Sequence, residues 1–201
     1  MKNIIKNTLI LTAITLVSGV LLGLVYEITK EPIALAKEAA KNEAYQAVMA
    51  DADAFEAYAD YDAKEAAKAI ADIAGCEINE VVVAKAGSEA VGYVVTTTTS
   101  EGYGGDIQIS VGIANDGTVT GMEILSIGET AGLGMNADTP EFKAQYAGKQ
   151  VEAFVVTKTG ASADEEIDAI SGATITSNAV TNAVNSAIVY FNNVLGGSAN
   201  E

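Results

Sequence analysis

The chain has no histidine, no arginine and no tryptophan, one cysteine and two prolines in 201 residues. Each absence closes a class of chemistry. Histidine is the usual general base near neutral pH, the commonest transition-metal ligand and the axial ligand of c-type haem, so a Ser/His/Asp triad and a histidine-held metal are excluded. With Cys76 alone, a thiolate zinc site, a cysteine-ligated iron–sulfur cluster and an intramolecular disulfide are excluded as well. Cys76 reads as a small packed hydrophobe. No residue is assigned a catalytic acid–base or metal-binding role. All eleven basic residues are lysine and the net charge is −16, so the chain repels nucleic-acid phosphates, and no basic cluster reverses that repulsion locally. Lack of arginine also removes the bidentate clamp that commonly holds a phosphate. A phosphate-bearing cofactor would need another means of retention.

What the chain does have begins with a long apolar run. Lys2 and Lys6 precede an uncharged stretch from Thr8 to Tyr26, long enough to cross a bilayer core as one helix. Lysines stand before the run, and Glu27 and Glu31 follow it beside Lys30. The positive-inside tendency then places the N-terminus in the cytoplasm and the remaining chain outside, as a single-pass cell-membrane protein. A cleaved signal peptide is the competing reading, with Ala34-Leu35-Ala36 as the small-residue site. The apolar run exceeds a usual signal core, and Pro32 with a charged stretch separates it from that site. Residues 1–29 are therefore expected to be the cytoplasmic start and a retained anchor.

Residues 30–75 are rich in Ala, Glu, Lys and Asp, with Leu35, Ala39, Tyr45, Val48, Met49, Phe55 and Ile70 at helical intervals. Acidic breaks at 51–53 and 60–62 divide them into two or more expected helices, a stalk and lid or a solvated spacer. After Gly75 the character becomes β: strands are expected at Glu80–Ala84, Val91–Thr99, Ile107–Ile113, Thr118–Ile127 and Val151–Thr157, with a short helix at Glu141–Tyr146. Ile107, Ile109, Val111 and Ile113 alternate with small or polar residues, the period of a half-buried strand. Asn115-Asp116-Gly117 then predicts a tight antiparallel hairpin. A final amphipathic helix is expected from Thr176 to Leu195, with Val180, Val184, Ala187, Ile188, Phe191 and Leu195 on one stripe and asparagines opposite. The expected fold is α+β, a mainly antiparallel sheet flanked by helices over residues 76–195, with a disordered tail at 196–201. The acidic run Asp164, Glu165 and Glu166 reads as a solvated surface.

Small residues and hydroxyls crowd the start of that last helix, from Asp168 through Ser171, Gly172, Ala173 and Thr174 to Thr176 and Ser177. A helix N-terminus offers unpaired N–H groups and a positive dipole end, which suits a phosphate without arginine. The residues leave a second reading open, in which Ser171, Thr174, Thr176 or Ser177 simply caps the helix. Upstream, Gly128-Glu129-Thr130-Ala131-Gly132-Leu133-Gly134 is a glycine-bearing turn after a strand, able to bring Thr130 and backbone N–H groups against a flat ligand. Gly102-Tyr103-Gly104-Gly105 precedes the alternating strand.

Asp168 to Thr174 reads D-x-x-S-G-A-T, which resembles the modification motif of FMN-binding domains in the Rnf and Na⁺-translocating NADH:quinone reductase complexes. Residues 128–134 resemble that family's E-T-P-G-L-G loop, with Ala131 where proline is usual, and residues 102–107 its G-Y-G-G-x-I stretch. The resemblance implies that a flavin transferase takes FMN from FAD and esterifies its phosphate to Thr174. Asp168, Ser171, Gly172 and Ala173 would be recognition positions. Glu129, Thr130, Gly132, Leu133 and Gly134 would lie in the flavin site, and Tyr103 would stack near the isoalloxazine. Chain length and the single anchor resemble the RnfG family, the FMN-bearing subunits of Rnf ferredoxin:NAD⁺ oxidoreductases. That resemblance implies a membrane-bound electron-transfer subunit working with other membrane subunits rather than a stand-alone enzyme. Two alternatives stand beside it: the counterpart FMN-bearing subunit of the quinone reductase, and a non-redox tethered binding domain in which Thr174 is only a helix cap.

Overall fold

A computed structural model describes residues 1–196, and the predicted tail lies outside the described residues but for Gly196. The chain divides into two compact units, 1–41 and 42–201.

The first unit is helical, and helix α1 (Lys2–Val48) continues from it into the second. Leu9, Leu16, Leu22 and Val25 are exposed, and the stretch from Thr8 to Tyr26 spans ~28 Å at the α-helical rise. Its threonine hydroxyls are satisfied within the helix: Thr8 donates to the Ile4 carbonyl at 3.0 Å, Thr12 to the Thr8 carbonyl at 2.9 Å and Thr15 to the Thr12 carbonyl at 2.9 Å. That arrangement suits hydrocarbon, which supplies no partners. α1 continues through Pro32, where one backbone hydrogen bond is lost.

The second unit is α+β. Strands β1 (Ala54–Ala57), β2 (Cys76–Ala86), β3 (Glu89–Thr99), β4 (Ile107–Ala114) and β5 (Val119–Ser126) form an antiparallel sheet in sequence order. In β4 Ile107, Ile109, Val111 and Ile113 are all buried as the alternation predicts, but Ser110 and Gly112 between them are buried as well, so the strand is covered on both faces rather than half-buried. The isoleucines and Val111 face helix α4 (Thr174–Tyr190), whose Val180, Ala183, Val184, Ala187 and Ile188 join the same core. The β4–β5 turn falls at Asn115–Gly117, with Asp116 Oδ1 accepting from the Thr118 N–H at 2.9 Å and Gly117 at φ 87°. After Tyr190 the helix widens into a π turn at Phe191–Leu195.

Two elements depart from the sequence reading. Residues 30–75 are not all helical between the acidic breaks: Ala54–Ala57 is the edge strand, paired with β2. Four residues are too few to show an alternation, and the pairing partner lies far along the chain. The C-terminal end of α1 and the residue after it, by contrast, pack onto the sheet: Tyr45, Val48 and Met49 join Val82, Ala84 and Val94 in a second core on the face away from α4. Helix α2 (Ala63–Ala69) is capped by Asp62, whose side chain accepts from the Lys64 and Glu65 N–H groups. The second departure concerns the expected strand at Val151–Thr157. It is shortened to β6 (Val155–Thr157) and pairs in parallel with β7 (Glu166–Asp168) as a separate two-stranded sheet. Helix α3 (Pro140–Lys143) occupies part of the expected Glu141–Tyr146 helix.

Candidate functional site

Three connections meet at the N-terminus of α4. The first joins β3 to β4 and carries Tyr103. The second follows β5 and runs into a 3-10 turn at Gly134–Asp138. The third runs from β7 into α4. Together they enclose a cleft of about 490 Å³ lined by Tyr103, Glu129, Thr130, Leu133, Gly134 and residues 172–176.

Backbone contacts hold the first two connections face to face. A side chain at Gly104 would collide with the Gly128 carbonyl, so the chains approach as closely as glycine allows. The Gly104 N–H donates to Glu129 Oε1 at 3.2 Å. Asn182 of α4 donates to Glu101 at 2.7 Å, fixing the first connection to the helix. Gly134 passes directly beneath Glu129 and Thr176: a Cβ there would lie 2.5 Å from Glu129 Oε2 and 2.7 Å from Thr176 Oγ1.

The helix end itself is open. Its N-cap is Ala173, with no side-chain cap hydrogen bond, which removes the reading of Thr174 as a helix cap. Thr174 is the first helical residue, half-buried, and among the described residues its hydroxyl makes no hydrogen bond. Ser177 is turned inward: its hydroxyl donates to the Ala173 carbonyl at 3.0 Å and accepts from the Ile170 N–H at 2.9 Å. The Ser177 N–H is bonded to the Ala173 carbonyl, and the preceding N–H groups of Thr174, Ile175 and Thr176 have no intrahelical partner. Gly172, at φ 78°, makes the sharp turn into this end.

Not every residue singled out in the sequence reaches the cleft. Asp168 belongs to β7, where its Oδ1 accepts from the Ala161 N–H at 2.6 Å and its N–H donates to Gln145 at 2.6 Å. Ser171 and Gly132 are exposed and outside the lining. Ile175 and Thr176 do line it. The signal for Ile175 was available: it is an apolar residue off the helix's core stripe, and it is 54% exposed. Among the described residues of the second unit, the exposed large hydrophobics apart from Val155 are Tyr103, Leu133 and Ile175, all at this cleft. The acidic run lies elsewhere. Glu166 accepts from the Ser162 and Ala163 N–H groups, and the Ser162 backbone bond, with its hydroxyl, holds the carboxyl below its ordinary range. Burial pushes the Cys76 thiol up, against hydrogen bonding from Thr99.

The residues fit a cofactor with a flat apolar ring and a phosphate. Exposed Tyr103, Leu133 and Ile175 offer an apolar slot, and the free N–H groups of an uncapped helix offer an anion seat. No lysine lines the cleft.

The FMN-binding domain family matches residues 102–189, and the RnfG N-terminal region matches residues 1–48. The chain is 36% identical over 195 residues to the G subunit of the Na(+)-translocating ferredoxin:NAD(+) oxidoreductase complex of Acetobacterium woodii, covering 96% of this chain and 94% of that one. It is 33% identical to the G subunit of the proton-translocating ferredoxin:NAD(+) oxidoreductase complex of Clostridium ljungdahlii, over 93% of this chain and 91% of the relative. A crystal structure of Shewanella oneidensis NqrC aligns with a TM-score of 0.48 at 24% identity, over 56% of this chain and 57% of that one.

Proposed function

The chain belongs to the RnfG family of ion-translocating ferredoxin:NAD(+) oxidoreductase complexes, and we propose on that premise that it is a membrane-associated electron-transfer protein that bears FMN on Thr174. The observation that carries this reading is the meeting of three separate segments around one cleft, with the Thr174 hydroxyl unengaged at its mouth.

Bound FMN supplies one- and two-electron redox chemistry that the side chains themselves lack. The chain's own groups attach and orient it. Thr174 Oγ1 would be the point of attachment: under a flavin transferase it would bond to the FMN phosphorus of FAD as the phosphoanhydride breaks, and its proton would leave with AMP. The N–H groups of Thr174, Ile175 and Thr176 would hold the phosphoryl oxygens, and the dipole of α4 would stabilise their charge. Tyr103, Leu133 and Ile175 would offer the ring an apolar surface. Gly172 and Ala173 would allow the phosphate a close approach to the backbone, while Thr130 and Gly134 line the opposite wall and Gly132, outside the lining at φ 77°, turns the loop that carries them. Asp168 and Ser171 stand outside the cleft, as recognition positions for the transferase. A covalent link answers the retention problem of a chain with no arginine.

The long apolar helix, with lysines before it and glutamates after it, supports a single-pass anchor with a cytoplasmic N-terminus and an extracytoplasmic flavin unit. Other membrane subunits of the complex are then the electron donor and acceptor.

The test is mass spectrometry of the chain purified from a host that has the transferase. The peptide containing Thr174 is expected to carry an FMN phosphate adduct, and the band to fluoresce in a denaturing gel. An unmodified peptide from such a host would refute the attachment.

A further inference from the structure

Among the described residues, Glu129 is the only charged side chain that is buried, at 9% exposure. Isolating a carboxylate from water is costly unless something compensates it. Here one oxygen accepts from the Gly104 N–H. The other makes no hydrogen bond among the described residues, keeps contact with solvent in the cleft, and faces the space that Gly134 leaves by having no Cβ. No lysine pairs with it, and the residue lines the cleft.

We propose that Glu129 sets the redox potential of the flavin, by accepting a hydrogen bond from a donor group of the cofactor and by holding a negative charge against it. The inference rests on the flavin assignment above. An ionised carboxylate offers only acceptors, so the group it meets must be a donor. FMN has such donors in its ring imide and its ribityl hydroxyls. The phosphate is repelled from this wall, and the free N–H groups at the start of α4 attract it instead. An electron arriving from a reduced donor without a proton adds one negative charge to the cleft. A fixed carboxylate whose side chain is mostly buried opposes that charge, and the midpoint potential falls. In this role Glu129 touches the cofactor directly and exchanges no electron or proton itself.

The experiment uses the full chain, loaded by the transferase in the host, as wild type, Glu129→Gln and Glu129→Asp. Gln keeps an oxygen for the Gly104 N–H and removes the charge; Asp keeps the charge. Spectroelectrochemical titration should place Glu129→Gln above wild type by roughly tenfold in the one-electron equilibrium, about 59 mV. Glu129→Asp should stay closer to wild type. Equal potentials for wild type and a fully loaded Glu129→Gln would overturn the proposal. Failure of Glu129→Gln alone to load, with an unchanged melting temperature, would support the contact through the need for the carboxylate. Failure of both variants with a lowered melting temperature would make Glu129 a structural brace and overturn it. A wild-type chain without flavin would instead defeat the flavin assignment, and this inference with it.

Discussion

Ser177 reaches back over the start of α4 to Ile170, accepting its N–H at 2.9 Å while donating to the Ala173 carbonyl at 3.0 Å. This one buried hydroxyl folds the turn at residues 170–173 onto the start of the helix, beside the unengaged Thr174 hydroxyl. Ser177→Ala should orphan the Ile170 N–H at a cost of about 1–3 kcal/mol. A lowered melting temperature and reduced flavin fluorescence in the gel band are expected; full loading at wild-type stability would show that the turn does not depend on this bond.

Gly134→Ala tests the floor of the cleft. Its Cβ would lie 2.5 Å from Glu129 Oε2 and 2.7 Å from Thr176 Oγ1, so both side chains must be displaced, at about 1–3 kcal/mol. Loaded flavin should fall more steeply than stability, as read by the ratio of flavin absorbance to protein in material that still melts cooperatively.

The C-terminal end of α1 and the residue after it cover one face of the sheet through Tyr45, Val48 and Met49, each nearly fully buried. A chain beginning at Asn42 should fold as a soluble flavin-binding unit. One beginning at Asp53 loses those side chains, each worth about 1.5–3 kcal/mol, and exposes Val82 and Val94. Size-exclusion chromatography should find the first monomeric and the second aggregated.

Alkali should destabilise the second unit through its tyrosines. Burial first, then Tyr58 and Tyr61 once they ionise and the carboxylates of Glu65 and Asp62 nearby, push the Tyr190 hydroxyl from 10.0 up to about 12. Burial also pushes up Tyr146, against its hydrogen bond to Thr181. A folded-state value above the unfolded one favours the protonated fold. The contribution is therefore complete below pH 10 and is lost as pH rises towards 12, on the order of 1 kcal/mol per pH unit for each group. Melting temperatures should fall across that window, and Tyr190→Phe should flatten the slope.

Legibility in the sequence followed the range of the signal. The isoleucines and valine of β4 alternate over seven residues, and the valines of α4 recur at helical spacing, so both elements could be read locally. Glu166-Ile167-Asp168 shows no period, and its strand exists only because Val155–Thr157 lies beside it. Phe55 continues a helical stripe in the sequence, yet it sits in an edge strand with its ring 5.6 Å from that of Tyr45. Short strands take their conformation from partners, which local pattern cannot supply.

The sequence by itself determined the apolar run with its flanking charges, the classes of chemistry closed by missing histidine and arginine, and the threonine at the mouth of the last helix. Tertiary structure alone decided which motif residues share a cleft: it brought Tyr103, Glu129 and Thr174 together, turned Asp168 towards Ala161 and Gln145, and buried one carboxylate without a cation. The physical reason is that periodicity records whether a residue faces inward on its own element. Proximity between residues 103, 129 and 174 instead depends on strand order and on how α4 crosses the sheet, which no local pattern encodes.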